Sequence, residues 1–141
     1  MVRMKRSLGA LAAVVAAPVL AGCERPVPAV TLAADAGSVR TTAAAWCWGP
    51  AGPCVDRPSD VPGLPVRAGD WLLVAVDPDV VERGWRVLLD GVPQPPVTGT
   101  TTLELVAPRV APGGRVEVVV EALGGPGGGP SGRWALQLLP R

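Results

Sequence analysis

The chain has 141 residues, 48% hydrophobic and 18% charged, with 18 glycines, 17 prolines and a formal net charge of +1, enough for a single domain with one core. It contains no histidine, tyrosine or phenylalanine, so the commonest general base and the commonest metal ligand are both missing. No basic stripe is present to neutralise phosphates, which argues against a nucleic-acid partner.

Arg3, Lys5 and Arg6 form a basic start, and Leu8 to Ala17 is uncharged. Pro18 interrupts an apolar run of roughly 15 residues, where a membrane span needs about 20. Leu20-Ala21-Gly22-Cys23 follows. These four residues resemble the lipobox of bacterial lipoproteins. The resemblance implies a signal peptide over residues 1–22, a diacylglyceryl group on the Cys23 thiol and cleavage just before it. Two or more long acyl chains attach a protein stably, since each buried methylene contributes about 0.8 kcal/mol. Residues 23–141 then carry ten arginines, no lysine and 12 acids, a formal charge of about −2 once Arg3, Lys5 and Arg6 are removed. Residues 23–28 read as the lipidated cysteine and a tether, whose Glu24-Arg25-Pro26-Val27-Pro28 reaches roughly 16 Å when extended. The expected location is the extracytoplasmic face of the cell membrane. The expected partners are that membrane, through Cys23, and a nearby envelope protein.

From residue 29 to 141 the chain reads as one β-sandwich domain. Val30 to Ala33 is a first strand, turned by Asp35-Ala36-Gly37-Ser38, and Val39 to Trp46 is a second, weakened by Ala43 to Ala45. Cys47 and Cys54 enclose Trp48-Gly49-Pro50-Ala51-Gly52-Pro53, turn-forming residues suited to a tight loop. In an oxidising compartment such a pair reads as a disulfide. A zinc site would need two further ligands that no histidine can supply, and the spacing is not the Cys-x-x-Cys of redox pairs. Residues 55 to 70, with Pro58, Pro62 and Pro65, read mostly as loop with a short edge piece at 65–67. Trp71 to Val76 is apolar on both faces and reads as a central strand.

Asp77-Pro78-Asp79-Val80-Val81-Glu82 carries three carboxylates. Calcium needs six to eight oxygens from a shaped loop, whereas Asp77 as N-cap with Pro78 at the first helical position explains the same residues as one helical turn. Trp85, Val87 and Leu89 alternate with Arg86, Leu88 and Asp90, as in a half-buried strand. Thr101 to Val106 and Arg115 to Glu121 follow, and Trp134, Leu136 and Leu138 share a face of the last strand. Gly124 to Gly132 reads as a long, flexible hairpin loop. Trp71, Trp85 and Trp134 are expected in the core. Trp46 and Trp48 flank Cys47 on one side of their strand, so they are candidates for packing over the disulfide or for a binding platform.

About seven short strands, frequent turn signals and no long helical pattern predict an all-β, antiparallel, immunoglobulin-like β-sandwich, with a small barrel as the other topology. No metal site and no cofactor are expected. Ser38, Ser59 and Ser131, the serines after Cys23, sit in no nucleophile-elbow pattern. Leu64-Pro65-Val66, Val76-Asp77-Pro78 and Trp85-Arg86-Val87, with Cys47 and Cys54 upstream, are similar to a family of small actinobacterial lipoproteins of unknown function, over residues 28 to 90. That resemblance implies no activity, and Asp90-Gly91 turns earlier than its pattern. The sequence therefore points to a non-catalytic accessory or interaction module of the cell envelope, the alternative being a glycan- or small-ligand-binding domain using Trp46 and Trp48.

Overall fold

The computed structural model describes residues 25–141; the expected signal peptide, the lipobox-like Leu20-Ala21-Gly22-Cys23 and its lipidation lie outside them. Two antiparallel sheets pack face to face. The first is ordered β2 (Gly37–Thr42), β1 (Ala29–Ala34), β6 (Trp71–Val76), β9 (Thr102–Val106). The second is ordered β4 (Cys54–Asp56), β3 (Ala45–Cys47), β11 (Gly132–Pro140), β10 (Val116–Ala122), β7 (Trp85–Leu89), β8 (Val92–Pro93). A further strand, β5 (Gly63–Val66), runs parallel to β11. The all-β sandwich is as expected. Among the described residues seven strands have five or more residues, and β3, β4, β5 and β8 are shorter pieces added at the margins.

Period-two alternation builds the core. Val30 and Leu32 of β1 and Leu72, Val74 and Val76 of β6 point inward from the first sheet. Trp85 and Val87, Val116, Val118 and Val120, and Trp134, Leu136 and Leu138 meet them from the second. Trp85 and Trp134 are fully buried, each removing about 150–250 Å² from water, worth roughly 4–6 kcal/mol as an upper figure. Their indole N–H groups donate to the carbonyls of Thr100 and Pro28, both at 2.9 Å, so neither is left with an unpaired donor. Arg86 and Glu121, directly opposite each other on β7 and β10, form a charge-assisted pair at 2.9 Å that satisfies the nearly buried carboxylate.

Several expectations are corrected. The second strand does not run unbroken from Val39 to Trp46. It ends at Thr42, and the chain resumes as β3 in the other sheet. Ala43 is fully buried at this corner, where a small side chain lets the backbone pass between the layers. Residues 63–66 are more than an edge loop, because Leu64 and Val66 are buried in the core. Pro65 is tolerated between them because β5 pairs with β11 alone and has no other neighbour needing its missing N–H. Trp71 is not a core residue. Although β6 is central in its sheet, as expected, its second face is open to solvent, and Trp71 is 67% exposed.

The loop from Gly124 to Gly132, expected without regular structure, contains a hydrogen-bonded turn. A 3₁₀ turn at Pro126–Gly128 is closed by Gly125 N–H donating to Gly129 at 2.8 Å, and Ser131 Oγ donates to the Leu123 carbonyl at 2.9 Å. A Cβ on Gly125 would collide with the Pro130 carbonyl, so the loop requires glycine there. Two residues expected in the tether, Val27 and Pro28, belong to the sandwich instead. Pro28 is buried, Val27 packs on the core, and the Pro28 carbonyl accepts the Trp134 indole.

Gly132 begins β11 beneath two aromatic rings. A Cβ there would lie 2.5 Å from Cε3 of Trp46 and 2.7 Å from Cη2 of Trp134, and buried indoles have little room to yield. Gly132→Ala is expected to lower stability by about 1–3 kcal/mol, read as a reduced urea midpoint with unchanged slope.

Candidate functional site

The end of the sandwich at which the described chain enters gathers residues 25–28, the disulfide hairpin and the turn after β6. Cys47 and Cys54 are register partners in β3 and β4 and are joined by a disulfide, their Cα atoms 4.1 Å apart. The bridge holds the loop Trp48–Pro53, in which the Trp48 amide donates to Pro53 at 3.2 Å. The one-turn helix α1 (Pro78–Val81) has Pro78 in its first turn, as expected, and Val80 buried beneath it. Asp77 stands at the N-cap position but makes no side-chain cap bond. Its carboxylate instead accepts the Ala29 amide at 2.8 Å and faces Arg40 at 3.4 Å. A free β-strand N–H at the start of β1 has outcompeted the helix for that oxygen.

Trp46 and Trp48 are not arranged as a shared open platform. Trp46 is only 5% exposed and packs on Trp134 with ring centroids 5.7 Å apart and a tilt of 53°. Trp48 is half-buried. Both indole N–H groups are buried without a hydrogen-bond partner, unlike those of Trp85 and Trp134. Both residues line a cavity of about 260 Å³ together with Arg25, Asp79, Arg83 and Ser131. Arg83 is fixed by Nη1 donating to the Gly124 carbonyl at 2.7 Å, and Arg25 reaches Asp79 at 3.5 Å.

Trp48 and Arg25 also line a second, larger groove of about 550 Å³. Pro26, Val27, Pro53 and Val55 give it apolar walls, and Arg57 adds a second guanidinium. Among the described residues no cluster of three or more acidic or cysteine side chains is placed to hold a metal ion. Likewise no helix among them is long and apolar enough to cross a membrane.

At the opposite end of β6 lies a feature the sequence reading missed. Trp71 pairs with Val106 across β6 and β9, and Leu73 lies between Ala33 and Glu104. Trp71, Leu73 and Val106 are all exposed on the outer face of the first sheet. Towards Ala29 the same face turns polar, with Thr31, Ala75 and Thr102 in one row. The signal was present as the absence of polar residues at outward positions 71 and 73, but a central strand covered on both faces reads identically.

No protein family, no curated protein and no solved structure matches the chain.

Closing an eight-residue ring by the disulfide is worth roughly 2.5 kcal/mol in chain entropy. Replacing both Cys47→Ser and Cys54→Ser is expected to lower unfolding free energy by about that amount and to raise acrylamide quenching of Trp48, while Trp85 and Trp134 remain shielded.

Proposed function

We propose that this chain is a lipid-anchored, extracytoplasmic lipoprotein, attached through Cys23, whose sandwich is a non-catalytic interaction module of the cell envelope. The observation that carries the reading is the position of the apolar Trp71–Leu73–Val106 patch. It sits at the far end of β6 from Val76, the residue paired beside the entry point of β1. Five residues of strand separate the two, about 17 Å. A module held to the membrane at Ala29 therefore presents Trp71 away from the bilayer, where a protein partner can reach it. Exposed aromatic residues among aliphatic neighbours are the usual anchors of protein interfaces. Glu104, beside Leu73, favours a partner surface that is apolar with a basic residue at its margin.

The second reading, a small-ligand site at Trp46 and Trp48, draws on their two unpartnered indole donors. A flat stacking platform for sugar rings needs both rings exposed, and Trp46 is packed against Trp134.

In-cell crosslinking of the full-length protein tests the interaction reading, comparing wild type, Trp71→Asp and Cys23→Ala. The expected result is one envelope protein captured by the wild type and lost from both variants. Equal capture by Trp71→Asp excludes the patch, and equal capture by Cys23→Ala excludes the need for an anchor.

A further inference from the structure

We infer that the groove between the tether and the disulfide hairpin binds the headgroup and upper acyl region of an anionic membrane phospholipid. The inference rests on the lipid-anchored reading above and assigns the groove to the bilayer itself. Four observations point to it. The groove is built from Pro26, Val27, Pro53 and Val55, with Trp48 as its aromatic wall. Arg25 and Arg57 are its two charged groups, both cationic. Among the described residues Arg57 has no ion-pair partner, and Arg25 has only Asp79 at 3.5 Å with both side chains well exposed. An exposed pair of that kind contributes little, so Arg25 can turn from Asp79 to a phosphate at small cost. Finally, Cys23 lies two residues before Arg25, within about 7 Å along the chain, so an acylated Cys23 brings the groove to the bilayer surface.

The chemistry matches a phospholipid in both halves. A guanidinium offers paired N–H donors to phosphate oxygens and is weakly hydrated. Tryptophan favours the level of the headgroups, where its apolar ring and its N–H donor find different surroundings. A basic segment beside the membrane gains about 1 kcal/mol per Lys or Arg from anionic lipid. Occupation of the groove would fix the orientation of the sandwich as well as its attachment, directing Trp71 outward.

The test uses the exported and processed protein, residues 23–141 with Cys23 acylated, and two probes read through the fluorescence lost in Trp48→Phe. The first is dihexanoylphosphatidylglycerol below its micelle-forming concentration, compared with inorganic phosphate. The second is vesicles of phosphatidylcholine with and without phosphatidylglycerol, brominated high on the acyl chains, with co-flotation measured in parallel. The expected outcome is saturable binding of the short lipid, weakened about five-fold by Arg25→Ser and again by Arg57→Ser, with no response to phosphate. Trp48 should be quenched in the phosphatidylglycerol vesicles. Equal response to phosphate would show a general anion site and overturn the proposal, as would lipid binding unchanged in the double arginine variant. Co-flotation without any Trp48 response defeats the groove and leaves the anchor standing. Binding of the short lipid without co-flotation defeats the anchor and leaves the groove. Both arginines are exposed, so thermal unfolding of the variants should match wild type and separate lost binding from lost folding.

Discussion

The Ala29 amide donates to Oδ2 of Asp77 at 2.8 Å, and the Asp77 amide donates back to the Ala29 carbonyl at 3.1 Å. This two-sided clamp sets the register of β1 against β6 at the point where the described chain enters the sandwich. One residue earlier, the Pro28 carbonyl accepts the buried Trp134 indole at 2.9 Å. The entering chain is thus tied to both sheets, to β6 through Asp77 and to β11 through Trp134. From this constraint follow the placement of residues 25–28 beside the disulfide hairpin and the 17 Å offset, about five strand residues, between entry point and Trp71. A carboxylate spent on a helix cap would have left β1 free to fray.

Four tryptophans divide according to how their N–H groups are satisfied. Trp85 and Trp134 are buried with backbone acceptors and act as the core's largest side chains. Trp46 and Trp48 are held at the hairpin end with their donors unpaired. Both line the cavity of about 260 Å³ at that end, and neither N–H has an acceptor among the described residues. Gly132 makes the arrangement feasible, since a Cβ there would drive the Trp46 and Trp134 rings apart. The fifth, Trp71, serves neither purpose and stands in solvent on the opposite end of the sheet.

Much of the fold is legible in the alternation of apolar residues. Val116, Val118 and Val120, and Trp134, Leu136 and Leu138, point inward as the period of two requires. The disulfide follows from two cysteines bracketing a turn. What escapes local reading is set by tertiary context. Nothing between Val39 and Trp46 marks the corner at which the chain changes sheets, since alanine suits a weak strand and a tight crossing equally. Leu64 and Val66 sit among prolines and become core only because β11 lies alongside them. Trp71 belongs to a strand whose apolar faces look alike in sequence, although only one is covered. Asp77 has the spacing of a helix cap, and its true partner, the Ala29 amide, is 48 residues away. In the site, Arg25 and Arg57 carry no motif, and proximity to Trp48 arises from the fold alone.

The sandwich has two dissimilar ends, one with a groove lined by Arg25, Arg57 and Trp48, the other with the exposed apolar patch of Trp71, Leu73 and Val106. On the proposed reading the first end meets lipid and the second meets protein. The most direct measurement places a photoreactive benzoylphenylalanine at position 48 or at position 71 of the full-length protein in living cells. Phospholipid adducts are expected from position 48 and a discrete protein adduct from position 71. Lipid adducts from position 71, or a protein adduct from position 48 with none from 71, would contradict that reading.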